Sequence, residues 1–322
     1  MASSGPGIVF MGTPEFAVES LKSILEAGYL VKGVVTSPDK PSGRGLKLHP
    51  PPVKEFALKH NLPVLQPLKL KDPEFLKALG NMHADLQVVV AFRMLPEEVW
   101  NMPPLGTFNL HASLLPDYRG AAPINWAIMN GETRTGVTTF FLNHEIDKGS
   151  VIFMEETGIG TEETAGMLHD RLMVTGAGLV VKTIDAIASG KVTITEQHFM
   201  TSNSLLHPAP KIFKNDCRIR WEQDTHTLYN FIRGLSPYPT AWSELVSTRE
   251  NVLHIRIYFG ESELRLREAQ PGTCETDGKS YLRVATGNGY IRIKSIQLEG
   301  KRRMDITEFL RGFPQVSQFR FR

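Results

Sequence analysis

Over the first 190 residues, short apolar runs alternate with stretches in which apolar residues recur every three or four positions. A run of four to eight apolar residues reads as a strand, and the 3.6-residue period reads as an amphipathic helix. Strands alternating with helices call for an α/β domain built on a largely parallel sheet. Strands are expected at 7–12, 30–36, 62–65, 86–92, 106–111 and 136–142. Helices are expected after Thr13, at 53–59, after Asp72, and from 161 to about 188. Thr13, Asp72 and Thr161 stand where each can cap the helix that follows, with Pro14 and Glu15 reinforcing the first. Residues 86–92 are nearly all apolar, as a strand buried on both faces should be. Residues 37–52, punctuated by Pro and Gly, read as a long loop.

The pattern changes near residue 190. Residues 201–210 read as a linker. Beyond them one helical stretch at 226–234 precedes β-rich runs at 253–258, 281–285 and 290–298, whose Gly turns fit a small sheet or closed barrel. A chain of 322 residues is long enough for two domains and for a core that needs no staples. The expected organisation is a first domain over 1–200, a linker over 201–210 and a second domain over 211–322. With 41% hydrophobic and 22% charged residues, the composition excludes a disordered chain, a collagen and a coiled coil. No run approaches the roughly 18 apolar residues of a membrane span. Cys217 and Cys274 are the only cysteines, which excludes a disulfide framework and a four-Cys zinc site and fits a reducing cytoplasm. Residues 1–7 carry no charged side chain and are expected to be neither a secretory signal nor a transit peptide. The net charge of +2 conceals an asymmetry: residues 1–207 hold 17 Lys and Arg against 21 Asp and Glu, whereas residues 208–322 hold 19 against 13. Like charge gathered in one region points to an anionic partner, with ordinary surface variation as the competing explanation.

The densest polar stretch runs Phe108-Asn-Leu-His-Ala-Ser-Leu-Leu-Pro116. Asn109 and His111 lie two apart on a strand, so their side chains share one face while Phe108 and Leu110 share the other. The pair falls at the carboxyl end of the strand, where open α/β sheets bind ligands. A structural hydrogen bond would serve a strand-end histidine as well. Residues 113–116 then form a loop able to offer backbone N–H and C=O groups. Asp147 lies in His144-Glu-Ile-Asp-Lys-Gly-Ser150, where Asp-Lys-Gly also makes a good turn with Gly supplying positive φ. No spacing of His, Cys, Asp and Glu resembles a zinc site, so no metal is expected. Gly43-Arg44-Gly45 lacks the third glycine of a dinucleotide fingerprint, and Gly176-Ala-Gly178 has no strand before it. Neither a P-loop nor a nucleophile elbow occurs. Lys40, Arg44 and Lys47 on the long loop, and Lys301, Arg302 and Arg303 near the C-terminus, can meet phosphates or simply face solvent.

These residues carry a resemblance. Ile8-Val-Phe-Met-Gly-Thr-Pro-Glu-Phe-Ala-Val18 resembles the opening strand and helix of methionyl-tRNA formyltransferases, and His111-Ala-Ser-Leu-Leu-Pro-Asp-Tyr-Arg-Gly-Ala-Ala-Pro-Ile124 resembles their central signature. Ile232-Arg-Gly-Leu-Ser-Pro-Tyr-Pro-Thr-Ala-Trp242 and Gln297-Leu-Glu-Gly-Lys-Arg-Arg-Met304 extend the match to the C-terminal region. The resemblance implies a Rossmann-like formyltransferase domain joined to a small OB-like β-barrel. It implies transfer of a formyl group from 10-formyltetrahydrofolate to the α-amine of methionyl initiator tRNA, by a cytoplasmic monomer without a metal. It assigns catalysis to Asn109, His111 and Asp147. It places folate near Phe92, Met94, Leu95 and Pro96 and against Ser113, Leu114, Leu115 and Pro116. The loop bearing Lys40, Arg44 and Lys47 is expected at the tRNA acceptor end, and the basic C-terminal domain, with Lys301, Arg302 and Arg303, on the tRNA body. Residues 91–96 read Ala-Phe-Arg-Met-Leu-Pro where many relatives have Tyr-Gly before Leu-Pro, and Lys-Gly-Ser follows Asp147 where many have Thr-Gly-Asp.

The residue types suit that chemistry. An amine attacking a formyl carbon builds an oxyanion, which an amide N–H and an imidazole can stabilise. A carboxylate can orient the imidazole and help carry the proton from attacking to leaving nitrogen. Two other readings remain: a formyltransferase for another amine, such as an amino-sugar nucleotide, and a noncatalytic tRNA-binding protein. The C-terminal match argues against the first, and the intact Asn109, His111 and Asp147 set against the second.

Overall fold

The computed structural model describes residues 5–42, 47–200, 206–247, 251–265 and 269–322. By its contacts the chain forms two compact units. The first comprises Met1–Gly120, Thr135–Thr157 and His169–Pro208; the second comprises Ala121–Arg134, Gly158–Leu168 and Ala209–Arg322.

In chain order the first elements are β1 (Ile8–Gly12), α1 (Glu15–Glu26), β2 (Val31–Val35), β3 (Lys40–Ser42), β4 (Lys47–His49), α2 (Pro52–Lys59), β5 (Val64–Leu65), α3 (Pro73–Gly80), β6 (Leu86–Val90), α4 (Glu97–Trp100) and β7 (Thr107–His111). There follow β8 (Arg119–Gly120), α5 (Pro123–Met129), β9 (Arg134–Phe141), β10 (Val151–Gly158), α6 (Ala165–Ala188) and β11 (Pro208–Ala209). Seven strands make one sheet in the order β10-β9-β7-β6-β1-β2-β5. The β5-β2-β1-β6-β7 run is parallel, and β9 joins β7 antiparallel. Strands β1 and β6, central in the parallel run, are buried at every residue and are the apolar ones, as strands covered on both faces should be. The chain leaves β1 toward β2 and β5, then returns to its other side as β6 and β7. Strand order therefore reverses between β1 and β6, and ligands of such sheets bind beyond the carboxyl ends of the strands at that point, with β7 next in line.

Several local expectations need correction. Thr13 does not cap α1; its hydroxyl sits 3.0 Å from Ser37 Oγ, linking the ends of β1 and β2. The cap of α6 is Thr164, whose Oγ1 accepts from Met167 N at 3.3 Å, rather than Thr161. Asp72 does cap α3, accepting from Glu74 N at 2.9 Å. The 37–52 loop contains the β3–β4 hairpin, with Lys40 opposite His49 and Ser42 opposite Lys47. Strand β10 is an edge strand absent from the expected set, although Val151-Ile-Phe-Met154 is an apolar run; its second half is polar, with Glu155 and Glu156 exposed.

In the second unit, α7 (Thr225–Gly234) is capped by Asp224, whose Oδ1 accepts from His226 N and Thr227 N, each at 3.0 Å. Helix α5 packs on α7; Asn125 Nδ2 donates to Gly234 O at 2.7 Å. The remaining strands are β12 (Ala241–Ser247), β13 (Val252–Glu263), β14 (Cys274–Thr276), β15 (Leu282–Ala285), β16 (Tyr290–Leu298), β17 (Met304–Asp305) and, after α8 (Ile306–Gly312), β18 (Phe319–Phe321). They form an antiparallel sheet in the order β14-β15-β16-β13-β12-β18, with β17 on β16. A bridge between Thr273 and Arg320 brings the two ends together and nearly closes a barrel. Gly272, at φ 84°, permits that closure: a Cβ there would lie 2.1 Å from Phe321 O. The barrel interior holds Trp221, Ile257, Ile293, Phe309 and Phe321, and Trp221 Nε1 donates to Ser243 Oγ at 2.9 Å. Among the described residues, no helix is long and apolar enough to cross a membrane.

Candidate active site

Strand β7 carries both polar candidates of the central signature. In the antiparallel register, Asn109 faces Phe140 and His111 faces Thr138. Asn109 is half-buried, and its amide makes no protein hydrogen bond among the described residues. His111 is buried, with Nε2 2.9 Å from Tyr118 O. A carbonyl only accepts, so Nε2 carries the proton and Nδ1 remains for a substrate.

The turn after β7 is held from within. Thr138 Oγ1 donates to Ser113 O at 2.6 Å and accepts from Leu115 N at 3.2 Å. Ser113 Oγ donates to Asp117 O at 2.7 Å. Leu115 is buried against Phe140 and Val151. The side chains of Ser113 and Leu115 are therefore occupied structurally, while Leu114 and Pro116 are half-buried. Around β6, Leu95 belongs to the core and Phe92 packs against it, Pro96 is half-buried and Met94 is exposed. Arg93 turns back on its own region, donating to the carbonyls of Pro67 and Leu68 and lying 5.7 Å from the Phe92 ring. Burial pushes its guanidinium below the usual arginine value.

Asp147 comes from the loop between β9 and β10. Its carboxylate accepts from Gly120 N at 3.1 Å, and its carbonyl accepts from Arg119 Nε at 3.1 Å. The Asp-Lys-Gly turn differs from expectation. The left-handed residue is Asp147 itself, at φ 53°, a conformation that Asp tolerates better than most residues. Gly149 is needed for a different reason: a Cβ there would stand 1.6 Å from Phe141 O. His111 and Asp147 share no hydrogen bond among the described residues. The short segment 118–120 joins them instead, with the Tyr118 carbonyl on the imidazole and the Gly120 N–H on the carboxylate. Tyr118 also sits at positive φ, 56°.

Two further side chains complete this arrangement. Arg119 and the buried Gln197 bond to each other and to the Asp147 loop. Burial lowers the Arg119 pKa, opposed by the charges of Asp147 and Glu145. A polar cleft of about 580 Å³ opens here, lined by Arg119, Asn143, Lys148, Ser150, Glu196 and His198 among others.

The basic candidates lie elsewhere. Lys40 is exposed on β3, Lys47 begins β4, and Arg44 lies outside the described residues. In the second unit, Lys301 and Arg302 are exposed in the turn before β17, where Arg302 pairs with Glu308. Arg303 donates to Ser295 Oγ at 2.7 Å and lies 4.6 Å from the Tyr258 ring centroid.

Comparison with known proteins decides the family. Residues 7–184 match the formyl transferase model and residues 211–314 its C-terminal domain model. The methionyl-tRNA formyltransferase of Bacteroides fragilis is 55% identical over 98% of this chain and 97% of its own. The chain belongs to the methionyl-tRNA formyltransferase family. Members from Bacteroides thetaiotaomicron and Flavobacterium johnsoniae are 55% and 50% identical, each alignment covering 95% of both chains. Among solved structures, HypX from Aquifex aeolicus in complex with tetrahydrofolic acid superposes with a TM-score of 0.64 at 18% identity. That alignment covers 97% of this chain and 48% of HypX, so the chain spans about half of that protein's length. WlaRD, a sugar 3N-formyl transferase, gives a TM-score of 0.62 at 19% identity, covering 92% of this chain and 99% of its own. At these identities the structural neighbours establish the shared fold.

Proposed function

We propose that this chain transfers a formyl group from 10-formyltetrahydrofolate to the α-amine of methionyl initiator tRNA, giving N-formylmethionyl-tRNA. The observation that carries the reading is 55% identity to a methionyl-tRNA formyltransferase over both domains, not the catalytic fold alone. The parallel sheet and the strand-end position of Asn109 and His111 support placing the chemistry there.

The reaction joins the amine nitrogen to the formyl carbon, breaks the bond from that carbon to the donor nitrogen, and moves one proton from the attacking to the leaving nitrogen. Among the described residues the Asn109 amide has no protein partner, which leaves it able to donate to the formyl oxygen as negative charge grows on it. His111 is held by Tyr118 O through one ring nitrogen, leaving Nδ1 to donate to that oxygen when protonated. Asp147 accepts the amine proton and returns it to the leaving nitrogen, a general acid–base role worth about 10²–10⁴-fold. Folate lies along Phe92, Met94, Leu95 and Pro96 and along residues 113–116, where the backbone, Leu114 and Pro116 make the contacts. Lys40, Arg44 and Lys47 meet the acceptor end, and Lys301, Arg302 and Arg303 meet phosphates of the tRNA body. In this reading the enzyme works as a cytoplasmic monomer and calls on no metal.

A formyl-transfer assay with 10-formyltetrahydrofolate and methionyl initiator tRNA, comparing wild type with His111→Ala, tests the reading. Product from wild type and a sharp loss in the variant support it. Binding of tRNA without product from wild type makes the chain a noncatalytic binder. Neither binding nor product turns the search to other amines.

A further inference from the structure

We infer that Gln197 is a positioning residue for Asp147: its amide clamps the 147–149 backbone and so aims the carboxylate at the reacting nitrogens. The inference rests on the catalytic reading of Asp147 given above. Gln197 opens a short 3-10 helix (Gln197–Met200) and is 3% exposed. Its side-chain amide is fully used. Nε2 donates to Asp147 O and to Gly149 O, both at 2.9 Å. Oε1 accepts from Arg119 Nε at 3.0 Å and Nη2 at 2.5 Å. Arg119 Nε also reaches Asp147 O, at 3.1 Å, so that carbonyl is held by two donors at once.

The clamp lies where the backbone needs it. Asp147 is left-handed at φ 53°, a conformation that persists where its surroundings over-determine it. Two carbonyls bracketing Lys148 are tied to one rigid amide, which fixes the peptide planes on either side of the strained turn. The carboxylate then stands against Gly120 N, next to the segment that holds His111. Only glutamine fits this role. Glutamate at the same length keeps the Arg119 acceptor but loses both donors, and asparagine is one methylene too short. Every hydrogen bond of the Gln197 amide goes to Arg119 or to the 147–149 backbone, so its effect passes through Asp147.

Kinetics of the full-length enzyme test the idea. Gln197→Met keeps the volume and removes every hydrogen bond; Gln197→Glu keeps the Arg119 contacts and removes only the donations to Asp147 O and Gly149 O. Each is made in the wild-type and Asp147→Asn backgrounds, with KM for both substrates, kcat and thermal midpoint measured for every variant. The expected result is a fall in kcat of about 10–10²-fold for either substitution with KM within about 3-fold, and less than 3-fold further loss in the Asp147→Asn background. A merely structural role predicts equal losses in both backgrounds, which overturns the inference. So does Gln197→Glu at wild-type kcat. If Asp147→Asn itself retains wild-type kcat, the catalytic reading of Asp147 fails and the inference falls with it. If Asp147→Asn is inactive while the Gln197 variants are unimpaired, the inference alone fails.

Discussion

Gly149→Ala is the sharpest test of how tightly the Asp147 loop is fitted to the sheet. A Cβ at Gly149 would stand 1.6 Å from Phe141 O, 2.8 Å from Phe141 C and 3.2 Å from Phe140 Cδ2. The closest atoms are backbone of β9, and Phe141 N is itself bonded to Ser150 O at 3.0 Å, so the obstacle cannot rotate aside. To clear 3.0 Å, the loop has to retreat by about 1.4 Å, and a misplacement on the order of 1 Å costs about 10²-fold in rate. Forcing a methyl into a packed site costs about 1–3 kcal/mol, which for a domain of this size lowers Tm by roughly 2–12 °C. Steady-state formyl transfer at saturating substrates, with a thermal melt of the same preparation, measures both. Gly178→Ala is the control. Gly178 lies on the exposed side of α6 with nothing within 4 Å of a new Cβ, so alanine there should stabilise by about 0.5–1 kcal/mol and leave kcat unchanged. Wild-type kcat and Tm for Gly149→Ala would refute the reasoning, because they would mean the loop position is neither constrained by β9 nor needed for the chemistry.

Other expectations follow from single observations. Asn109→Asp removes the N–H donor from a half-buried amide that has no protein partner among the described residues, so kcat should fall by about 10²–10³-fold with the melting profile preserved; a loss under 3-fold would remove Asn109 from the oxyanion role. The Lys301 ammonium has no partner among the described residues, whereas Arg302 pairs with Glu308. Lys301→Ala should therefore lower the dependence of log K on log salt for tRNA binding by about 0.7–0.9, and Arg302→Ala by less, with equal slopes for all three proteins excluding this turn from the interface. Burial pushes the Cys217 thiol up to about 11 and the Cys274 thiol up to about 12. Since the thiolate is the reactive form, a thiol-exchange reagent at pH 8 should label neither cysteine in the folded protein and both after denaturation. Rapid labelling of either in the native state would contradict that burial.

The legible part of the site was the part written into one strand. Asn109 and His111 share a face because strand side chains alternate, a rule that needs no tertiary information. The Asp147 position was legible only through resemblance, since Asp-Lys-Gly reads equally well as a turn. Its geometry was not legible: the left-handed residue is Asp147, and Gly149 is required by an approach to Phe141 that no local pattern records. Gln197 left no trace in the sequence, because its partners Arg119 and Asp147 lie 78 and 50 residues away. The edge strand β10 carries an apolar signal only in residues 151–154; its polar second half is fixed by its place at the sheet edge.

By itself, then, the sequence determined the alternation of strands and helices in the first unit, the apolar character of β1 and β6, the Asp72 cap and the shared face of Asn109 and His111. These rest on backbone sterics, side-chain period and hydrogen bonds between near neighbours, which act over a few residues. Tertiary structure alone decided the strand order that brings β7 beside β6 and β9, the near-closure of the barrel at Gly272 and Phe321, and the clamp of Gln197 and Arg119 on the Asp147 loop. Each of these joins segments far apart in the chain, where the hydrogen bonds of a buried group are completed by whichever residues packing delivers to it.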